Sequence, residues 1–187
     1  MFPLVPIDEA ARLGEELGID RPLATAHVFR ALLHSPAATA GFHEGIQALM
    51  FRNQVPARTR ELIILRIGWR TGSEYVFCHH VRIARELGIP EVEILGVRDP
   101  QSCHVYSATD RAVLRLADEL HESAEVSRST WATLEQAFAH AELVEILLSA
   151  GFWRMACGFA KRTEIQLDAG VPGWPEGRAP ENRGRAF

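Results

Sequence analysis

A chain of 187 residues, 47% of them hydrophobic, is long enough to bury one sizeable core and falls in the usual range of a single domain. A net charge of −4 supplies no basic excess for a phosphate backbone, so no nucleic-acid partner is expected. No run approaches the roughly 18 apolar residues of a membrane span, and the start MFPLVPIDEAARLGEELG has no basic region before an apolar core, so a cytoplasmic protein without a membrane partner is expected.

In chain order the periodicity predicts helix after helix. No Pro-free alternating run argues for a sheet, so the expected fold class is all-α. Ile7 to Leu17 is a short amphipathic piece ending at Gly18. Pro22 to Leu33 follows as one helix, with Ala26, Phe29, Leu32 and Leu33 along one side and Ser35-Pro36 as its break. Pro36 then opens a helix to about Met50 bearing Phe42, Ile46 and Leu49. His27, His34 and His43 in this region are read as surface or locally bonded, because no second ligand type stands at metal-ligand spacing. Residues 1–55 are thus N-terminal helices that precede a helical core, 56–169, of the same domain.

That core opens with RTRELIILRIGWRTGSEYVFCHHVRIARELG, Arg58 to Gly88. Pro56 to Arg70 reads as a helix: Pro suits a first-turn position because its missing N–H has no intrahelical partner there, and Gly72 can take the left-handed geometry that ends a helix. Ser73 caps the next helix, Glu74 to Leu87, which stops at Gly88. So short a connection makes the pair antiparallel or sharply bent. His80 then lies about seven residues, roughly 10 Å of helix, beyond the cap, and Glu61 about nine residues before the Arg70 end, so their heights nearly match.

After the pair, Pro90 to Val97 suits a short helix, and Arg98 to Tyr106 is expected to form a loop over a pocket. Ser107 to Asp110 resembles a capping box for a helix through Leu120, and Ser127 can cap one carrying Trp131, Leu134 and Phe138. From Leu143 to Phe159 the chain is apolar on most faces, which places that helix between neighbours or in a subunit interface. The tail 170–187, rich in Gly, Pro and Arg, is expected to be loosely ordered.

The candidate chemistry gathers in the central pair. Glu61 sits among Leu62, Ile63, Ile64 and Leu65, where an inward carboxylate is partly desolvated; Arg58, Arg60 and Arg66 are available to pair with it. His80 is the side-chain type best suited to proton transfer near neutral pH. Tyr75 and His79, at i and i+4, share a face and can hold a polar group of a substrate. Cys78 invites a redox reading, yet it stands about 200° around the helix from His80 and is expected to be buried and inert. Consecutive residues Cys78, His79 and His80 diverge by about 100° each, so no metal site is expected. Three widely spaced cysteines fit reduced thiols rather than a disulfide framework.

The run RELIILR, then TGSEY, HH and RIARELGI, resembles the carboxymuconolactone decarboxylase and alkylhydroperoxidase D superfamily of small helical proteins. The likeness is strongest over Pro56 to Val97 and weaker through DRAVLRLADELH and GFWRMA. It implies a compact multi-helix fold assembled as a homo-oligomer, from dimer to hexamer. The thiol peroxidase branch carries a glutamate, a Cys-x-x-Cys pair and a histidine four residues later. Aligned on His80, that pattern puts Glu61 at the glutamate and Ser73 and Val76 at the cysteines, so the dithiol is absent. The decarboxylase branch also lacks it. The resemblance therefore implies a cofactor-free lyase or isomerase in which His80 and Glu61 move a proton on a small carboxylated or lactone-like substrate. Tyr75, His79, Arg66 and Trp69 are its expected contacts, an arginine holding the carboxylate. The alternatives are a thiol peroxidase using Cys78 alone and a non-catalytic helical oligomer.

Overall fold

The computed structural model describes residues 2–181, and among them helix follows helix with no strand. The elements are α1 (Ile7–Glu16), α2 (Arg21–Ala24), α3 (His27–Leu32), α4 (Pro36–Ile46), α5 (Ala57–Thr71), α6 (Glu74–Glu86), α7 (Glu91–Gly96), α8 (Ala108–Glu122), α9 (Arg128–Ala137) and α10 (His140–Thr163). A π-helical turn, Gln47–Phe51, extends α4. The chain is all-α, as the periodicity predicts.

Helix α5 occupies the centre because its sequence leaves it no solvent face. Eleven of its fifteen residues are buried, and it packs against α6, α8 and α10. Ile63, Ile64 and Ile67 enter one core with residues of α8, α9 and α10, while Leu62 and Leu65 enter a second with Phe77, Val81 and Ile94. A helix held between two cores needs apolar residues in most directions, and any charge it carries must find a partner. Arg66 does so through Asp118, with Nε to Oδ1 at 2.7 Å and Nη2 to Oδ2 at 2.8 Å.

The turn into α6 is made by Gly72 at φ 67°, a left-handed conformation that a side chain would strain. Gly68 lets the two helices close: a Cβ there would stand 3.2 Å from Phe77 Cα and 3.3 Å from its backbone nitrogen. Ser73 is the residue before α6, but its side chain makes no capping bond; the hydroxyl is buried beside α10 instead. The cap was expected from residue type alone, and tertiary packing overrides it. The boxes at Ser107–Asp110 and the Ser127 cap form as read, with Asp110 N–H donating to Ser107 Oγ at 3.0 Å and Thr130 N–H to Ser127 Oγ at 3.3 Å.

Three local expectations are corrected. Pro22 to Leu33 is two helices, because Ala26 turns extended (ψ 145°) and the His27 N–H restarts the chain on Asp168 Oδ1 at 2.8 Å. Arg98 to Tyr106 covers the second core rather than a pocket: Cys103 and Tyr106 are buried there, and Arg111 donates to the carbonyls of Pro100 and Cys103. Residues 170–181, though mostly exposed, are anchored, with Val171 and Trp174 buried, Trp174 against Phe77 at 5.1 Å and Arg98 paired with Glu176 at 2.9 Å. Large apolar surface on Trp174 outweighs the glycines and prolines around it. The rest of the expected tail, 182–187, lies outside the described residues.

One helix, α10, is long and apolar enough in composition to cross a membrane, yet it lies along α5 and α6.

Candidate functional site

Glu61 comes from the first half of α5 and His80 from the middle of α6. The antiparallel pairing sets them at one height, and the Glu61 Oε2 to His80 Nδ1 distance is 2.7 Å. The carboxylate has no solvent-exposed surface. Its other oxygen, Oε1, accepts from Arg60 Nε at 3.3 Å, and Arg60 Nη1 donates onward to the Met50 carbonyl at 3.0 Å. Arg60 thus supplies the counter-charge that a buried carboxylate requires, and His80 need not be charged to balance it.

An ionised carboxylate only accepts, so in this contact Nδ1 of His80 is the donor, and in the neutral tautomer that this implies the lone pair lies on Nε2. No described residue hydrogen-bonds Nε2, and the ring lines a cavity of about 860 Å³. Its walls come from α2, α3, α4 and the π turn on one side and from α6, α10 and Asp168 on the other. Trp153 of α10 stands edge-on to the His80 ring at 4.4 Å and 76°. Its buried indole N–H has no hydrogen-bond partner among the described residues, an orphan donor beside the pair.

Tyr75 and His79 reach the same cavity and stack on each other at 4.1 Å. Both converge on Asp168, Tyr75 Oη at 2.5 Å and His79 Nε2 at 2.9 Å, while the His27 N–H reaches the other carboxylate oxygen and the Val28 N–H reaches Tyr75 Oη at 3.3 Å. Burial alone would raise the Asp168 carboxyl; the hydrogen bonds from His79, Tyr75 and the His27 backbone outweigh it and hold the group down at about 2. Burial and the adjacent Asp168 push the Tyr75 hydroxyl well above the ordinary phenol range. This cluster fastens α3 and the segment after α10 to α6. Asp168 was not singled out in the sequence, because its meeting with His27 spans 141 residues and carries no local signal; His27, read as surface or locally bonded, instead bonds Asp168 and the Gln166 carbonyl.

Two expected contacts lie elsewhere. Arg66 is committed to Asp118 and to the Val97 and Arg98 carbonyls, and Trp69 packs on Phe77 and Trp174 with the Arg98 guanidinium 5.2 Å above it. Five and eight residues on from Glu61, they point to other sides of α5. The cysteines are all buried and unbridged. Cys78 is packed in the second core among Leu62, Leu65 and Phe77. Cys157 is fully buried beside the Thr71 and Ser73 hydroxyls, and burial pushes its thiol up to about 11. At the two positions of the peroxidase dithiol, Val76 forms cavity wall and Ser73 lies buried beside Cys157. Among the described residues no cluster of three His, Cys, Asp or Glu is arranged to hold a metal ion.

Residues 36–119, which include both members of the pair, match the carboxymuconolactone decarboxylase family. That stretch, which holds α5 and α6, is similar to the carboxymuconolactone decarboxylase family. Solved structures share the fold at low identity. An uncharacterized peroxidase-related protein from Silicibacter sp. TM1040 superposes with a TM-score of 0.72 at 20% identity, covering 89% of this chain and 91% of that one. A putative antioxidant defence protein AhpD from Agrobacterium tumefaciens gives 0.68 at 23%, over 73% and 94%. The debrominase Bmp8, solved with 2,3,4-tribromopyrrole, gives 0.73 at 14%, over 90% and 92%. No curated protein matches the chain significantly. Proteins of such different description on one scaffold leave the reaction to be argued from the cavity.

Proposed function

We propose that this protein is a cofactor-free acid–base enzyme in which His80 Nε2 takes a proton from, and returns it to, a small molecule held in the cavity. The observation that carries this reading is the 2.7 Å contact between His80 Nδ1 and a fully buried Glu61, with Nε2 left toward an 860 Å³ cavity. Glu61 orients the ring and steadies the imidazolium that forms, and Arg60, 3.3 Å away, offers the carboxylate a counter-charge. Of the reactions the superfamily hosts, a lyase or isomerase step of the carboxymuconolactone decarboxylase kind needs only such a proton relay. A thiol peroxidase needs an accessible thiolate, and the burial of Cys78, Cys103 and Cys157 lends that reading no support.

The test is a screen of enolisable lactones and cyclic ketones in heavy water, with deuterium uptake followed by NMR in wild type, Glu61→Gln, His80→Ala and the double variant. Each single change is expected to remove the exchange, the double to be no worse than either, and the helical circular dichroism to stay near wild type. Exchange that persists in folded His80→Ala would remove the histidine from the chemistry.

A further inference from the structure

The cavity changes character with depth. Around His80 its buried wall is Phe29, Phe42, Val76, Trp153 and Ala156. Its charged residues are Asp168, held by Tyr75 and His79, and two exposed ones at the mouth, Asp20, which caps the Leu23 N–H at 3.0 Å, and Arg82, which stands 3.6 Å from Glu86. The polar groups between are engaged. Tyr75, His79 and Asp168 bond one another, Thr25 Oγ1 donates to the Arg21 carbonyl at 2.8 Å, and the Gln47 amide meets His43 at 3.0 Å. The arginines of α5 that a substrate anion would want are spent: Arg58 on Glu93 and Asp110, Arg60 on Glu61, Arg66 on Asp118. An anion carried to the depth of His80 would exchange its water for aromatic and aliphatic walls and one Trp153 N–H, with no fixed counter-charge and with the Asp168 carboxylate in the same wall, which is strongly unfavourable. An uncharged ring gains from the same walls by burying apolar surface.

We infer, building on His80 as the base, that the part of the substrate seated beside it is an uncharged, ring-sized apolar group whose acidic hydrogen points at Nε2, and that no carboxylate enters there. In the proton-transfer step the bond to that hydrogen, C–H in an enolisable ring or O–H in a phenol, breaks, its electron pair stays on the substrate, and the proton forms the Nε2–H bond. The ring anion then faces the imidazolium it has just created, which Glu61 supports from the other side. This departs from the carboxylated substrate that the sequence resemblance implies and locates any charged substituent at the mouth, with Arg82.

Isothermal titration with phenol and benzoate, two probes of the same ring size, tests it without turnover. Wild type is expected to bind phenol at least about tenfold more tightly than benzoate. Folded His80→Ala is expected to lose most of that preference, and Arg82→Gln to leave phenol binding unchanged. Benzoate binding as tight as phenol, or tighter and lost in Arg82→Gln, overturns the inference, as does phenol binding indifferent to His80→Ala or a wild type that binds neither probe. The wild-type comparison needs no variant to fold. Because binding and deuterium exchange are read separately, a benzoate preference beside an inactive His80→Ala would sink the substrate class and leave the base in place.

Discussion

Burial and hydrogen bonding pull the Asp168 carboxyl in opposite directions, and hydrogen bonding wins, leaving it at about 2 in the folded protein. A free aspartate titrates near 4. The folded state therefore gains stability from this group above about pH 4 and loses it as pH falls toward about 2, where both states are protonated. Asp168→Asn should cost roughly 1–2 kcal/mol at neutral pH by urea unfolding and flatten that acid window. An unchanged acid profile would mean that the cluster does not hold the fold. The same substitution should alter substrate affinity more than turnover, since Asp168 sets the cavity wall through Tyr75, His79 and α3 while His80 is held by Glu61. Glu61 and His80 were legible in the sequence because a charge inside an apolar run must have a reason and because one short turn fixes their relative height. Asp168 was not: an aspartate after a long helix looks like any surface residue until the chain has folded back on α3.

Between helices, the site depends on how closely α5 and α6 approach, and Gly68 sets that distance. A methyl group there would meet Phe77 backbone and Cβ at 3.2–3.3 Å, contacts that only movement of a helix can relieve. Alanine would gain up to about 1 kcal/mol of helix propensity, against about 1–3 kcal/mol for forced overpacking. Gly68→Ala should therefore be net destabilising and should lengthen the Glu61–His80 contact two turns away. Thermal unfolding and the activity of the variant check the two halves separately; a stabilised variant with full activity would show that the helices have slack. Both helices were predicted to within a residue or two, because their ends are marked by Pro56, Gly72 and Gly88 and their faces by dense apolar spacing. The break at Ala26 was missed for the opposite reason. No local breaker stands there, and the interruption is imposed by a long-range acceptor, Asp168, for the N–H that restarts α3.

Across the whole molecule, the sequence pattern reports which surfaces are apolar but not what covers them. The excess on α10 divides into two stripes. One faces the core through Leu143, Ile146, Ala150, Trp153 and Cys157. The other runs along the outside through Val144, Leu148, Gly151, Met155 and Gly158, in steps of four and three, and Val144, Leu148 and Met155 are each more than half exposed. A Cβ added at Gly151 or Gly158 would meet nothing within 4 Å, and these glycines with Leu120 and Leu147 border a groove of about 520 Å³. Spacing of four and three keeps one face of a helix aligned along its length, and glycines on that face let another helix approach closely. A stripe of this kind on a monomer is an association surface or a solubility liability. We propose that copies of this chain meet along it as a homo-oligomer. Sedimentation at micromolar concentration should give more than one subunit, and Leu148→Glu, which sets a charge on the exposed stripe without touching either core, should shift the protein toward monomer while circular dichroism stays unchanged. No residue of that stripe lines the cavity that His80 faces, so the dissociated variant should keep its deuterium exchange. A wild type that sediments as a monomer, or a Leu148→Glu variant that stays assembled, would remove this face from the account of how the subunits associate.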